Sequence, residues 1–122
     1  QPALAGFDGR VAAYRLYGAI FFGAVKLLEE IENNLPTHTL VLDLKNVIYI
    51  DSSGADTLQA LHRTCTKHGV RLIAAGLQHQ PLDILERCGW IRALGADAYH
   101  ATLADALQSA CALAPDYAPL LD

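Results

Sequence analysis

The amino-acid sequence predicts an α/β fold: a single domain in which a mostly parallel central β-sheet is covered by about four α-helices. Apolar runs typical of buried strands alternate along the chain with segments whose apolar residues recur at helical spacing. This alternation favours a parallel sheet, because parallel neighbours are joined by helical crossovers rather than tight turns. The length of 122 residues, of which 52% are hydrophobic, allows one core to form without disulfides or metal.

The first strand is predicted from Val11 to Leu16, and Gly18 is expected to end it. Residues 19–22 are predicted to be an apolar loop or a short strand that leads into a helix, which Pro36 stops. The apolar face of that helix carries Ala24, Leu28, Ile31 and Leu35, and its polar face carries Lys26, Glu29, Glu30 and Asn33.

The middle of the chain contains the strands expected at the centre of the sheet. Residues 39–44 are nearly all apolar, which is typical of a strand covered on both faces. A second apolar run, residues 47–50, leads into a polar turn at residues 51–54. The helix after this turn is predicted to end near Gly69, and residues 70–75 are predicted to form another central strand.

The last third of the sequence predicts two more helices around a short strand. Pro81 suits the first turn of a helix that Gly89 caps, and the short strand covers residues 98–101. Thr102 and Asp105 have the spacing of a capping box, which predicts the start of the final helix. We expect one domain spanning residues 1–122, with its core at about 11–112 and a tail at 113–122.

The turn formed by Asp51, Ser52, Ser53 and Gly54 is the candidate functional site, because it lies between a strand and the start of a helix. The first N–H groups of a helix lack intrahelical partners and the helix dipole is positive there, so a phosphate, bound or attached to a serine, is stabilised. A purely structural alternative stays open. Ser52 or Ser53 is then only the N-cap, and Ser53 with Asp56 has the spacing of a capping box.

Composition argues against several other functions. The net charge of −4 gives no basic surface for nucleic acid. Motifs of nucleophilic, nucleotide-binding and metal-dependent enzymes are absent, so we expect no enzymatic activity, no cofactor and no metal. Trp90 is expected as a lid at the core edge. The cysteines are expected as reduced core thiols and the histidines as surface residues: Cys65, Cys88 and Cys111; His38, His62, His68, His79 and His100.

The sequence contains no methionine, although a translated reading frame normally begins with one. We therefore expect the chain to be a processed or excised piece of a larger protein. Its start does not have the pattern of a signal peptide, and no segment reaches the ~18 apolar residues needed to cross a bilayer. This piece is accordingly expected to be soluble.

Three pieces of the sequence, taken together, resemble the STAS domain, a family that covers sulfate transporters and anti-sigma factor antagonists. They are residues 16–24, residues 40–44 with 50–54, and residues 69–72 with 75–77. The resemblance extends from about Val11 to Ala112, which is nearly the whole chain. It implies the α/β fold already predicted from the alternation of elements.

The first of these pieces separates two branches of the family. In the bacterial antagonists it typically reads Gly-x-Leu-Asp, and a partner anti-sigma kinase phosphorylates the serine that corresponds to Ser53. Here Gly18 is followed by Ala-Ile-Phe-Phe-Gly-Ala, without that aspartate. This is similar to the cytoplasmic C-terminal STAS domain of SulP-type inorganic anion (sulfate/bicarbonate) transporters. The alternative is a free-standing antagonist-like switch that is phosphorylated at Ser53.

The resemblance also implies where the domain works and what it contacts. It implies a non-catalytic regulatory and interaction domain at the cytoplasmic face of the inner (plasma) membrane, in contact with the transmembrane domain of the parent transporter. A cytosolic protein and a second copy in a homodimer are further candidate partners; nucleic acid is not. Phe21 and Phe22 form a candidate docking surface. The alternative is that one of these rings lies in the core and the other is half-exposed.

Overall fold

The structure is a computed structural model that describes residues 10–20 and 22–113, except for the side chains of residues 19–20, 22–25, 27 and 111–113. Its four strands form one parallel sheet in the order β1-β2-β3-β4. The predicted α/β fold with a parallel sheet is therefore confirmed. In chain order the elements are β1 (Val11–Ile20), α1 (Phe22–Asn33), β2 (Thr39–Ile50), α2 (Ser52–Lys67), β3 (Arg71–Ala75), α3 (His79–Arg87), α4 (Trp90–Leu94), β4 (Tyr99–His100) and α5 (Leu103–Leu113).

Two hydrophobic clusters lie on opposite faces of the sheet. The larger one joins alternate residues of β2, such as Leu40 and Leu42, to apolar residues of α1, α2, α3 and α4. The smaller one joins Val41 and Ile73 to α5 through Ala106. Both faces of β2 are therefore covered along residues 39–44, as the unbroken apolar run predicted.

Several local predictions are confirmed. In α1, Leu28 and Ile31 are buried, whereas the polar residues named above are exposed. The helix α2 ends just before Gly69, whose positive φ of 71° suits a glycine after a helix. The Oγ1 atom of Thr102 accepts a hydrogen bond from the N–H of Asp105, 3.2 Å away, so Thr102 caps α5 as its position predicted.

Another prediction, about the end of β1, was wrong. Gly18 does not end β1: the strand continues through it, with φ of 71°, to Ile20. The short helix α4 after Gly89 was not predicted; with it the described residues contain five helices, in line with the predicted cover of about four. The tail at residues 114–122 lies outside the described residues.

Several side chains differ from their predicted environments. Trp90 is not a lid but a core residue, 1% exposed, and its Nε1–H donates to the carbonyl oxygen of Leu58, 2.9 Å away. Cys88 is exposed, and it lies just after the last residue of α3, Arg87, rather than on the buried face of that helix. Cys65 is buried, as expected. Of the histidines expected at the surface, His68 and His79 are exposed, whereas His38, His62 and His100 are half-buried.

The pairing of β1 with β2 contains two bulges, and both place the extra residue in β2. From Arg15 to Tyr17 the first strand advances two residues while β2 advances three, from Asp43 to Asn46. Further along, β1 advances one residue, from Gly18 to Ala19, while β2 advances two, from Val47 to Tyr49. Each extra residue shifts the alternation of side chains, so two successive exposed residues follow each time. The bulges therefore expose additional side chains in the second half of β2, while Val47 and Ile50 stay buried.

Candidate functional site

The turn at residues 51–54 lies at the carboxyl end of β2, directly before α2. Asp51 has an extended backbone (φ −92°, ψ −178°), and its carbonyl oxygen accepts the first helical hydrogen bond from the N–H of Ala55, 2.9 Å away. Ser52 and Ser53 are exposed, Asp51 is half-buried and Gly54 is buried. The predicted turn is thus at a helix start, and both of its serines are exposed.

The N-cap of α2 is Asp51, so the alternative that Ser52 or Ser53 caps the helix is wrong. The Oδ1 atom of Asp51 accepts from the N–H of Gly54 and from the hydroxyl of Ser53, each at 2.8 Å. The hydrogen bond that a capping serine would accept is therefore made by the preceding carboxylate. Asp56 is exposed on the helix.

The end of β2 is held in place by a side chain from α3. Since β3 ends at Ala75, opposite Asp43, it does not reach Ile50. The side-chain amide of Gln80 takes its place: its Oε1 accepts from the N–H of Ile50 at 2.9 Å, and its Nε2 donates to the carbonyl oxygen of Ile50 at 2.7 Å. Because both backbone groups of Ile50 are satisfied in this way, the strand end before the turn is fixed.

The strands that lead to the turn carry exposed apolar side chains. Within the described residues, the exposed large hydrophobic side chains are Tyr17, Ile48 and Tyr49, which are 59%, 73% and 46% exposed. All three belong to the bulged part of the β1–β2 pair, and Ile48 is the extra residue of the second bulge. We refer to Tyr17, Ile48, Tyr49, Ser52 and Ser53 as the β2-end surface. The exposure of its apolar members was not foreseen from the sequence, because it follows from the bulges.

The second predicted docking element cannot be placed in the same way. Phe21 lies outside the described residues, and Phe22 begins α1 with a side chain that is not described. The docking role of these two rings stays a prediction.

The polar groups away from the turn form no metal site: no group of three His, Cys, Asp or Glu side chains in the described part of the chain is arranged to hold a metal ion. Burial raises the pKa of the Cys65 thiol to about 11, because the charged thiolate is poorly solvated inside the core. Such a thiol is an unreactive core group.

The described helices also include none with the length and apolar character needed to span a membrane.

The fold and the strand–turn–helix site define an α/β domain with a parallel sheet, and comparison with known proteins assigns its family. The profile of the STAS domain matches residues 4–110. The chain belongs to the STAS domain family.

Its relatives include a candidate sulfate transporter, YvdB of Bacillus subtilis (strain 168), which is 30% identical over 94 residues. This match covers 72% of the chain but only 17% of the relative's length.

Two solved structures have a fold similar to that of this chain. A sulfate transporter family protein from Wolinella succinogenes is similar with a TM-score of 0.80 and 28% identity, over 88% of this chain and 89% of that one. The STAS domain of a SulP transporter from Vibrio cholerae gives a TM-score of 0.75 and 23% identity, over 89% and 86% of the two chains. The chain is thus related in sequence to sulfate transporter family proteins, and it shares its fold with the STAS domain of a SulP transporter.

The same fold also occurs in the other branch of the family. The anti-sigma factor antagonist SpoIIAA, in its unphosphorylated form, gives a TM-score of 0.70 at 18% identity, over 87% of this chain and 91% of that one. At this identity the likeness concerns the fold alone.

Proposed function

We propose that this chain is the cytosolic regulatory and interaction domain of a SulP-family inorganic anion transporter, and that it acts by contact rather than by catalysis. The relationship to YvdB and to the Wolinella protein supports the transporter branch. The domain then spans residues 1–122, works at the cytoplasmic face of the membrane and contacts the transmembrane part of its parent protein.

The observation that carries the contact role is the β2-end surface. Exposed aromatic and aliphatic side chains next to hydroxyls are typical of a surface that another protein covers. The Asp51 cap and the Gln80 hydrogen bonds hold this surface on a rigid strand end and helix start. A rigid surface loses little conformational entropy when a partner binds.

A test introduces a charge on this surface in the whole parent protein. Ile48→Glu places a carboxylate at a 73% exposed apolar position, so the fold tolerates it while an apolar contact does not. Ala104→Glu, on an exposed position of α5, is the matched control. We expect anion uptake by membrane vesicles, per transporter molecule, to fall for Ile48→Glu only.

Two results would contradict the proposal. One is equal uptake by the two variants at equal protein level. The other is a parent gene that encodes no long apolar segments beside this domain.

The second candidate is an antagonist-like switch phosphorylated at Ser53, and the exposed hydroxyl of Ser53 favours it. A phosphoryl group there would add about −1.5 to −2 charge at a helix start, where the dipole stabilises it. The same group would repel the Asp51 carboxylate, whose Oδ1 atom accepts a hydrogen bond from the Ser53 hydroxyl at 2.8 Å in the unmodified protein. Phosphorylation would therefore weaken the cap of α2.

Labelled ATP and cell extract test this candidate. It requires that the wild-type protein is labelled and that Ser53→Ala is not, with Ser52→Ala as the control that keeps the label. Equal labelling of wild type and Ser53→Ala, or no labelling, excludes the switch.

A further inference from the structure

The first turn of α3 lies against the end of β2, next to residues of the β2-end surface. This helix begins at His79, and Gln80 in its first turn bonds both backbone groups of Ile50. Ile50 directly follows Tyr49 and precedes the turn at residues 51–54. A displacement of Ile50 therefore moves the backbone that carries the exposed side chains on both sides of it.

Local interactions do not stabilise the first turn of α3. Its N-cap, Gln78, makes no side-chain capping hydrogen bond. His79 has a φ of 56°, and among the described residues it is the only one other than glycine with a positive φ. Residues with a Cβ atom disfavour this conformation. The turn therefore keeps its shape because of contacts with other parts of the chain.

Two long-range side-chain contacts hold this segment. The hydroxyl oxygen of Tyr99, in β4, accepts from the N–H of Leu77 at 2.8 Å, and the same hydroxyl donates to the carbonyl oxygen of Leu77 at 3.4 Å. Gln80 makes the corresponding pair of hydrogen bonds to Ile50. Each side chain thus satisfies both backbone groups of one residue at a place where no strand pairs with it. The segment is tied to β4 at one end and to β2 at the other.

The Gln80 contact can open without unfolding the domain. Gln80 is half-buried, so water can replace its amide at the backbone of Ile50. On the other edge of β2, Ile50 stays paired with Ile20 of β1, and the buried Leu85 keeps the rest of α3 in the core. The unfavourable backbone conformation at His79 favours opening, whereas the two Gln80 hydrogen bonds oppose it.

We propose that residues 77–80 form a latch in which Gln80 positions the end of β2 and, with it, Ile48 and Tyr49. In the closed state the Gln80 amide holds both backbone groups of Ile50. In the open state water replaces this amide, and the exposed side chains lose their fixed backbone. The use of the latch in partner binding rests on the proposed function: a partner that recognises the closed state binds less tightly as the open population grows.

Gln80→Glu tests the latch because it makes closure depend on pH. The introduced carboxylate accepts from the N–H of Ile50 but has no hydrogen to donate to the carbonyl oxygen of Ile50, so two oxygens face each other. The protonated carboxyl group restores both hydrogen bonds. Its pKa in the folded protein therefore lies above the unfolded value of about 4.3. Closure is present below the unfolded value and is lost as the pH rises through the folded-state pKa.

The measurement is amide hydrogen exchange of the ¹⁵N-labelled 122-residue chain, expressed as the protection factor of Ile50 at about pH 4.5 and about pH 7. We expect Gln80→Ala to lower this factor about tenfold or more at both pH values, because the amide loses its acceptor. Gln80→Glu should match Gln80→Ala at the higher pH and recover severalfold at the lower one. Gln108→Glu makes the same exchange at an exposed position of α5 and should leave Ile50 unchanged. Wild type, measured in parallel, accounts for the neighbouring native groups that titrate, Asp51 and His79.

The amide of Leu42, in the buried half of β2, separates a local opening from a damaged fold. The loss of protection in Gln80→Ala should be larger at Ile50 than at Leu42. Equal losses at the two amides would overturn the proposal, since the contact would then open only with the whole domain. It is also overturned if Gln80→Ala keeps the Ile50 factor within about twofold of wild type, or if Gln80→Glu does not recover at the lower pH.

A second measurement separates the latch from the proposed function. In the parent protein, Gln80→Ala should lower anion uptake by membrane vesicles, as Ile48→Glu does. If neither variant changes uptake while Ile50 loses protection, the latch stands and the proposed function fails. If Ile48→Glu lowers uptake and Gln80→Ala does not, the surface works without the latch, and the positioning role of Gln80 is overturned.

Discussion

The two halves of the β1–β2 pair use the same strands in different ways. In the first half, residues 11–15 pair with 39–43 without interruption, and β3 covers the other edge of β2. Every β2 residue of this half is buried. In the second half β3 is absent, two bulges interrupt the pairing, and exposed residues outnumber buried ones from Lys45 to Ile50. The first half builds the core, whereas the second presents side chains to solvent.

An ion pair between Arg15 and Asp43 lies at the boundary between the two halves. The Oδ2 atom of Asp43 accepts from the Nε of Arg15 at 2.9 Å, and its Oδ1 accepts from the N–H of Lys45 at 3.1 Å. Asp43 is only 3% exposed, and hydrogen bonding to its carboxylate raises the pKa of Arg15. A buried carboxylate bonded to the backbone of the first bulge fixes the backbone at the point where exposed residues begin. At this end of the sheet, side chains are therefore exposed although hydrogen bonds hold the backbone that carries them.

The largest expected effect tests the core half. Leu42 is fully buried between the sheet and the helices, so Leu42→Ala should lower the free energy of unfolding by about 2–5 kcal/mol. Ile48→Ala removes the same number of carbon atoms from the outward half and should cost less than about 1 kcal/mol. Urea denaturation of both variants measures the difference. Similar losses would mean that the two halves do not differ in packing.

A smaller effect tests the close contact at the boundary. Gly76 follows β3 with a φ of +88°, and a Cβ atom there would meet the backbone of Lys45 at 3.1 Å. Gly76→Ala should therefore cost about 1–3 kcal/mol, from an unfavourable backbone conformation and from crowding.

Gly69→Ala separates these two causes. Gly69 has a φ of +71°, but no neighbouring atom lies within 4 Å of the position that an added methyl group would take, so this change carries the conformational cost alone. The excess loss in Gly76→Ala, measured by thermal unfolding, reports the crowding against Lys45. Equal losses would show that the bulge yields to the added methyl group.

The sequence predicted the core half better than the outward half, and the reason is physical. An unbroken apolar run such as residues 39–44 indicates a strand covered on both faces whichever strands flank it. A bulge depends on the register between two strands far apart in the chain, and no local pattern encodes it. The exposure of Ile48 was therefore not foreseen.

The candidate site shows the same division between local and tertiary information. The strand–turn–helix arrangement at residues 51–54 follows from local patterns and was predicted. The identity of the N-cap residue was not predicted, because aspartate and serine are comparably good N-caps. The backbone conformation of the turn, known only from the structure, makes Asp51 the N-cap. The Gln80 hydrogen bonds to Ile50 are a long-range feature, which the sequence alone does not indicate.

The smallest expected effect concerns the turn itself. Asp51→Ala removes the acceptor of the Gly54 N–H and of the Ser53 hydroxyl, so it should lower the free energy of unfolding by about 0.5–2 kcal/mol. Ser53→Ala removes only a solvent-exposed donor and should stay within about 0.5 kcal/mol of wild type. Urea denaturation resolves the two changes. A loss in Ser53→Ala that equals the loss in Asp51→Ala would mean that the hydroxyl, and not the carboxylate, holds the helix start. The β2-end surface would then depend for its rigidity on the very group that the switch hypothesis modifies.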